Sequence, residues 1–380
     1  MRRQDGRSAV QQRCWTFGCD LQGRDSNLSF LRPTATGACD ACDMEPLIIS
    51  HTTALEGIRR ARFLYGDLPW EVVEGAAARR ILDESVPNAR NIDVEALKRE
   101  SILADDCIGP IDVFCLSKNR RRNPLLRCHC TSKTPKHLSL LSITHNVYCI
   151  APAHALAQAL RGFSIASAVS HVMELTGSYA LPPLDMGNDQ SARYHLSPAI
   201  TPKELKPLVQ HYRSANDSSF CHAATYALAG SASPFETIVF AMLCLPAQYG
   251  GFGCGSLPGG ALLNHTIEFD LDARIMSSGM PYAICDLYFP LAKIDFEYNG
   301  ATHDLDSSHL HDNRRNNGLR SMGIKVINIA RNQVTDLEAL EAMARMVHRD
   351  AGKRFRYSIS GYRTRQQNLL HGLLQWCNHS

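Results

Sequence analysis

The sequence has no apolar run long enough to span a membrane, and its first residues, MRRQDGRSAVQQRCW, lack the apolar core of a secretory signal. A large excess of positive or negative charge is also lacking, since the net charge is only +3 over 380 residues. This balance excludes a protein that coats nucleic acid with its whole surface, so any such contact must come from a local basic patch. We therefore expect a cytoplasmic protein with no membrane partner.

A nucleotide-binding loop is absent as well. The glycine-rich segment GGFGCGSLPGG resembles one only in its glycine content, because no Lys-Ser or Lys-Thr pair follows it. Composition is otherwise ordinary, with 44% hydrophobic and 20% charged residues. A chain of this length is expected to form about two or three domains, each with its own apolar core.

Cysteine, by contrast, is plentiful at 14 residues. In a reducing compartment, scattered cysteines are small core residues. Cys14 with Cys19 and Cys39 with Cys42 form close pairs that could hold zinc, which leaves a zinc-binding protein as one hypothesis. The residues around them are polar and without periodicity, so we predict a disordered leader over 1–45. The segment from Cys128 to Cys130 supplies too few ligands for a metal and is predicted to lie in a strand.

Proline and serine break the periodic pattern between Pro182 and Pro202, which marks a linker or an exposed loop. We therefore predict an α+β N-terminal domain over 46–202 and an α/β domain over 203–380.

Two strands and a tight loop are predicted over residues 282–303, YAICDLYFPLAKIDFEYNGATH. With a loop of four residues, Phe289 pairs with Ile294, and Asp286 then lies directly opposite Glu297. A two-residue loop gives the same pairing, whereas a three-residue loop would separate the two carboxylates. Asp295 shares the strand of Glu297 but is expected to face solvent.

Opposed strand positions place Cβ atoms about 5 Å apart, close enough for Asp286 and Glu297 to share one divalent cation. Without a cation or a basic neighbour, two like charges in this position repel each other. For an isolated pair of acids, the simpler interpretation is that one of them points to solvent. The motifs that follow the hairpin favour the other interpretation, in which the pair binds Mg²⁺ or Mn²⁺. Glu236 has two interpretations: it caps a helix that begins after Ser233, or it is a further acid of the same site.

The motifs that follow the hairpin make the comparison with a known family specific. The order D, E-x-N-G-x-x-H, D-x-x-R-x-x-x-L, G-x-x-V and Q-V resembles the very-short-patch-repair (Vsr)-like branch of the PD-(D/E)XK endonuclease superfamily. The matching residues are Asp286, Glu297, His303, Asp312, Arg315, Leu319, Gly323, Val326 and Gln333. The resemblance implies a restriction-endonuclease-like αβββαβ domain with a mixed sheet. IEFDLDAR alternates apolar and acidic residues, as the first core strand of such a domain would if one face were in contact with water.

The same resemblance implies a metal-dependent endonuclease that hydrolyses phosphodiester bonds in DNA. Asp286, Glu297, Asn299 and His303 would be its catalytic residues, with His303 as a metal ligand or a general acid or base. Two positions depart from the family. Asn299 replaces the usual lysine, and Asn328 stands where many relatives have arginine.

Basic residues concentrate between Lys118 and Lys136, where the sequence SKNRRRNPLLRCHCTSKTPKH contains no acid. Such a segment is either a solvated loop or a contact for phosphate groups. For DNA binding we select Arg120, Arg121, Arg122, Arg314 and Arg315. Arg315 would contact phosphate or pair with an acid of the site.

The middle of the chain is similar to abortive-infection antitoxin (AbiEi)-like proteins. The residues that carry this similarity are Val147, Tyr148, Pro152, Glu174, Leu175, Gly177 and Tyr179. It implies an alternative function, a catalytically degenerate DNA-binding regulator or antitoxin that acts beside a partner toxin. Asn299 in the lysine position favours this alternative, because a missing cation weakens transition-state stabilisation.

Overall fold

Two mixed β-sheets and the helices around them form an α/β structure, the general class that the sequence predicts. The computed structural model describes residues 45–107, 109–186, 190–213, 218–298, 306–356 and 359–378. Within the chain, Met44–Ser380 form one compact unit. The predicted leader and its four cysteines lie outside the described residues.

The strands are numbered along the chain. They are β1 (Leu47–Ile49), β2 (Glu71–Glu74), β3 (Ile111–Leu116), β4 (Leu126–Thr131), β5 (Ser139–Ser142), β6 (Val147–Ile150), β7 (Leu262–Glu268), β8 (Tyr282–Phe289), β9 (Ile294–Tyr298) and β10 (Lys325–Ile329). The first sheet has the order β2-β5-β6-β1-β3-β4, and the second has the order β10-β9-β8-β7.

The α-helices of the described residues are numbered in the same way. They are α1 (His51–Tyr65), α2 (Gly75–Glu84), α3 (Val94–Arg99), α4 (Pro152–Ala159), α5 (Ile165–Thr176), α6 (Pro202–Arg213), α7 (Ser218–Tyr226), α8 (Pro234–Cys244), α9 (Leu271–Met276), α10 (Asp306–Ser321), α11 (Arg331–Val334), α12 (Leu337–Asp350) and α13 (Tyr362–Asn378). None of them is both long and apolar enough to cross a lipid bilayer.

The first sheet is built around buried apolar strands. All six residues of β3, IDVFCL, are buried, as expected for a strand that is covered on both faces. β3 runs parallel to β4 and antiparallel to β1. Cys128, His129 and Cys130 lie in β4, which confirms the strand prediction for them. β4 is the last strand of its sheet, and the Cys128 thiol donates a hydrogen bond to the backbone oxygen of Arg121 at 3.1 Å.

A buried arginine joins α1 to the segment after α5. The guanidinium of Arg62 is almost fully enclosed and donates to the carbonyl oxygens of Glu174, Gly177, Tyr179 and Ser197, at 2.5 to 3.0 Å. Four acceptors compensate for the loss of water around this charge. α5 also packs against α7, α8 and α13, so apolar contacts continue through the chain, and the predicted division after residue 202 stays a prediction.

The second sheet carries the predicted hairpin. β8 and β9 are antiparallel with Phe289 opposite Ile294, which confirms the register predicted from a four-residue loop. β9 and β10 are parallel, so this sheet is mixed. Its elements follow the order α8, β7, α9, β8, β9, α10 and β10.

One predicted strand is wrong. IEFDLDAR contributes only Ile267 and Glu268 to β7, and α9 begins at Leu271. The Asp270 side chain accepts a hydrogen bond from the backbone N–H of Ala273 at 2.8 Å and so caps this short helix. Local capping by an acidic residue therefore prevails over the alternation that suggested a strand.

Candidate functional site

Asp286 and Glu297 face each other across the hairpin, as the register predicts. Leu287 pairs with Phe296 through the backbones of β8 and β9. At the next residues, the carboxylates of Asp286 and Glu297 accept hydrogen bonds from backbone N–H groups. The N–H of Tyr298 donates to Asp286 Oδ2 at 3.0 Å, and the N–H of Asp286 lies 3.4 Å from Glu297 Oε1. Each carboxylate is thus held by the backbone of the opposite strand.

Burial and neighbouring negative charge favour the protonated form of Asp286. Burial raises the pKa of Asp286 to about 8, and the charges of Glu297 and Glu236 add to this effect. A positive ion beside the carboxylates would reverse this shift, because it stabilises their ionised forms. The pair therefore lies in a place where a cation is electrostatically favoured.

Asp295 corrects a prediction, because it does not face solvent. Its side chain has 0% exposure, and neither of its carboxylate oxygens accepts a hydrogen bond from the described part of the chain. Burial, together with the adjacent Glu297, raises the pKa of Asp295 to about 10. The physical reason is that α10 packs over the sheet here, with Arg315 Nη2 at 3.6 Å from Asp295 Oδ2.

Arg315 is the cation of this cluster. Its Nη2 donates to Glu297 Oε1 and, at 2.5 Å, to the backbone oxygen of Ile284. Of the two roles predicted from sequence, the structure shows the pairing with an acid. Burial alone would lower the pKa of Arg315, but the carboxylates of Glu297 and Asp295 outweigh it and raise that pKa. Arg314, one residue earlier, is exposed.

Close packing at Gly318 sets the position of Arg315. A Cβ atom at this residue would lie 2.5 Å from the buried ring of Phe269. Any residue other than glycine at position 318 would prevent α10 from packing this closely against the ring. The neighbouring Leu319 is fully buried in the same small core. Gly318 therefore permits the approach that brings Arg315 to the carboxylates.

Glu236 belongs to the helix cap predicted from sequence, and its charge also acts on Asp286. Its N–H donates to Ser233 Oγ at 3.1 Å, and its Oε2 accepts from the N–H of Ala232 at 2.9 Å, so the predicted cap of α8 is confirmed. Burial raises the pKa of Glu236, and the charge of Glu297 contributes to the shift. Glu236 therefore also adds negative charge to the hairpin site.

Asn264 on β7 was not predicted and belongs to this arrangement. Its Nδ2 donates to Glu236 Oε2 and to the backbone oxygen of Gly230, each at 2.8 Å. Its φ of 46° is in the left-handed region, which asparagine tolerates better than most residues. An asparagine in an otherwise β-forming segment is the sequence feature that could have indicated a special backbone position.

Other predicted residues lie elsewhere. Asn299 and His303 fall outside the described residues, whereas Asn328 is opposite Glu297 in the register of β10. Arg120, Arg121 and Arg122 are exposed beside the edge of the first sheet. Among the described contacts, none joins these three arginines to the carboxylates of the second sheet.

Carboxylate oxygens are the ligands that Mg²⁺ prefers, and this ion commonly uses one or two of them together with water. Asp286 and Glu297 fit that pattern. Within the described ranges, no set of three or more His, Cys, Asp and Glu side chains is arranged to hold a metal ion. A site on this hairpin would therefore depend on two carboxylates or on residues of the segment 299–305.

Comparisons of the whole chain with protein-family models, with curated proteins and with solved structures gave no match. The resemblances to Vsr-like nucleases and to AbiEi-like proteins accordingly rest on the sequence motifs alone.

Proposed function

We propose that the protein is a metal-dependent endonuclease that hydrolyses phosphodiester bonds in DNA. The observation that supports it best is the half-buried pair of Asp286 and Glu297 on adjacent strands, with the buried Asp295 and Glu236 close by. The raised pKa values of Asp286 and Asp295 mean that their ionised forms are unfavourable for stability, and groups of this kind concentrate at functional sites. The Vsr-like motif order names the same two residues.

Asp286 and Glu297 would hold Mg²⁺ or Mn²⁺. When bound there, the ion supplies a water of lowered pKa and stabilises negative charge on the phosphate. Arg315 orients Glu297 through its hydrogen bond, and it restrains the side chain before any ligand arrives. Asn299 and His303 keep their sequence-based roles, His303 as a ligand or as a general acid or base.

DNA would be held by exposed arginines. Arg120, Arg121 and Arg122 precede β4, and Arg314 lies on α10 next to Arg315. Contacts of this kind are made to phosphates and position a duplex without reading its sequence. They predict salt-sensitive binding that depends little on base sequence.

A second candidate is a DNA-binding regulator or antitoxin without turnover. It is favoured by the ion pair between Arg315 and Glu297, which gives Glu297 a cationic partner from the chain itself. It is favoured also by Asn299 in place of lysine. In this case the acids would be structural, and binding would proceed without cleavage.

Cleavage of supercoiled plasmid with Mg²⁺ or Mn²⁺ separates the two candidates. We expect wild type to nick the plasmid, and Asp286→Asn and Glu297→Gln to lower the rate by about 100-fold or more, as for groups that stabilise transition-state charge. Glu268→Gln, an exposed acid on the neighbouring β7, is the matched control and should leave the rate unchanged.

Binding of the same DNA without metal is measured in parallel. Binding without cleavage in either metal, with no change in Asp286→Asn, would contradict the nuclease and support the regulator.

A further inference from the structure

A second polar site lies on the first sheet, well separated in sequence from the hairpin. It is a cavity of about 460 Å³ beside the end of β4, within the volume range of small-ligand sites. Its walls come from β3, β4, the segment after β4, α4 and α6. The residues that matter are His51, His129, Lys133, Lys136, Gln158 and Arg161.

The charge of this cavity is of one sign. Lys133, Lys136 and Arg161 line it, and no aspartate or glutamate is among its described lining residues. Neither lysine forms an ion pair with an acid in the part of the chain that the structure describes. A concave surface with clustered positive charge concentrates anions and strengthens their hydrogen bonds.

Two imidazoles are fixed at the wall. The rings of His51 and His129 stack with centroids 3.4 Å apart and an angle of 15°. His129 Nε2 is hydrogen-bonded to Asp112 Oδ1 at 2.8 Å, and the ring Nδ1 of His51 is hydrogen-bonded to Ser50 Oγ at 3.0 Å. Both rings are thereby oriented before any ligand binds.

Backbone strain occurs at the same place. His51 has φ of 50° although it is not glycine, and it is the first residue of α1. Non-glycine residues in this region are held there against a conformational preference, and such outliers cluster at binding sites. Burial and the adjacent His129 lower the pKa of His51 to about 3, so its ring is neutral and can donate one hydrogen bond.

We propose that this cavity binds the phosphate monoester of a nucleotide, either free or at the 5′ end of a nucleic-acid strand. Lys133, Lys136 and Arg161 contact the phosphate, and the two histidines bound the same space. Phe114 and Tyr212 on the wall offer aromatic surface for the sugar or base. The site is independent of the proposed cleavage, because it shares no residue with the carboxylates of the hairpin.

The test compares 3′-labelled single-stranded oligonucleotides that carry a 5′-phosphate or a 5′-hydroxyl. Binding is followed by fluorescence anisotropy in EDTA, so that cleavage plays no part. We expect the 5′-phosphate to improve affinity by about tenfold, the effect of one charge-assisted hydrogen bond. The preference should fall to within about twofold in the Lys133→Gln/Lys136→Gln variant, since lysine amines then no longer face the phosphate.

The matched control is Lys203→Gln/Lys353→Gln, which removes two exposed lysines outside the cavity and should keep the preference. Thermal unfolding of both double variants verifies that they are folded. Asp286→Asn should also keep it, which separates this site from the nuclease proposal. Competition by 5′-AMP would identify a free nucleotide as a ligand, and its failure would assign the site to strand ends.

Equal affinity for the two oligonucleotides in wild type would overturn the proposal. So would an undiminished preference in a folded Lys133→Gln/Lys136→Gln protein.

Discussion

Two buried aspartates, one in each sheet, have opposite surroundings. Asp112 on β3 is 3% exposed and meets Thr53 Oγ1 at 3.3 Å, Arg127 Nη1 at 3.3 Å and His129 Nε2 at 2.8 Å. Asp295 on β9 is 0% exposed, and the described residues donate no hydrogen bond to it. A buried carboxylate is stable as an anion only when donors replace its water.

The pKa values follow this difference. Burial alone would raise the pKa of Asp112, but the hydrogen bond and charge of His129 and the charge of Arg127 lower it. Burial raises the pKa of Asp295 to about 10, with Glu297 adding to the effect. The first sheet thus surrounds its acid with donors, whereas the second collects more acids than Arg315 compensates. An uncompensated group of acids is what a cation site requires before the ion binds.

The largest expected effect comes from removing Arg315, the cation beside Glu297 and Asp295 in the second sheet. Arg315→Gln leaves Glu297 and Asp295 without their basic partner, so the free energy of unfolding at pH 8 should fall by about 3 kcal/mol, the scale for a broken buried pair. At pH 5 the loss should be smaller, because Asp286, whose pKa is raised to about 8, is then protonated and adds less negative charge beside Glu297. Urea unfolding at both pH values measures it.

Arg127→Gln is the matched control in the first sheet, where Arg127 pairs with Asp112. Its side chain is 58% exposed and Asp112 keeps Thr53 and His129, so the change should be below about 1 kcal/mol. Equal losses in the two variants would remove the contrast between the clusters.

Asp295→Asn tests the second cluster from the acid side. Because the pKa of Asp295 in the folded protein is about 10, above the ordinary 3.8, its folded state binds a proton more tightly than its unfolded state. Its contribution to stability is therefore greatest below about pH 4 and is lost as pH rises toward 10.

Replacing Asp295 by asparagine removes this loss. We expect the variant to be more stable than wild type by about 1 to 3 kcal/mol at pH 9, and by less at pH 5. Denaturant unfolding across this range checks the prediction. A variant less stable than wild type at pH 9 would show that the carboxylate is well compensated there.

His154 should give the free energy of unfolding the opposite dependence on pH. This residue on α4 is buried, and burial lowers its pKa from 6.5 to about 4. A lowered pKa means that the contribution of His154 to stability is complete above about pH 6.5 and is lost as pH falls toward 4. His154→Gln should therefore reduce the acid sensitivity of unfolding by about 1 to 2 kcal/mol between pH 7 and pH 4.

The exposed His145 provides the control for this effect. His145→Gln should leave the slope of stability against pH unchanged. A similar change in both variants would mean that burial of His154 is not the cause.

The smallest effect concerns Glu236, which caps α8 and is a candidate further acid of the hairpin site. Glu236→Gln keeps an amide oxygen for Ala232 and Asn264 but removes the charge, so the thermal midpoint without metal should change by less than about 2 °C. If Glu236 also serves the hairpin site, stabilisation by Mg²⁺ should be weaker than in wild type. Differential scanning fluorimetry with increasing Mg²⁺ measures both, and an unchanged response would leave Glu236 as a helix cap alone.

The hairpin could be predicted from sequence because its determinants are local. Aromatic and β-branched residues indicate the strands, and Pro290 in the loop favours the register that places Asp286 opposite Glu297. The same alternation puts Asp295 on the face of Glu297. The alternation within β9 could not indicate that α10, which carries Arg315, would cover that face, because α10 is a later element of the chain.

The first cluster could not be predicted at all. His51, Asp112 and His129 are far apart in sequence, and only the pairing of β1 with β3 and of β3 with β4 brings them together. The error at α9 has a different origin. Alternating apolar and acidic residues suited a strand, yet Asp270 was placed to cap a helix instead.

The outer position of β4 has a consequence for solubility. An edge strand exposes N–H and C=O groups that can pair with a strand from another molecule, and charged side chains oppose such pairing. Arg127 on β4 and the exposed residues Arg120, Arg121 and Arg122 beside it supply that charge. Substitutions that remove these arginines to test DNA binding would also remove a protection against self-association. A loss of binding in such variants is informative only when light scattering shows that the protein has kept the oligomeric state of wild type.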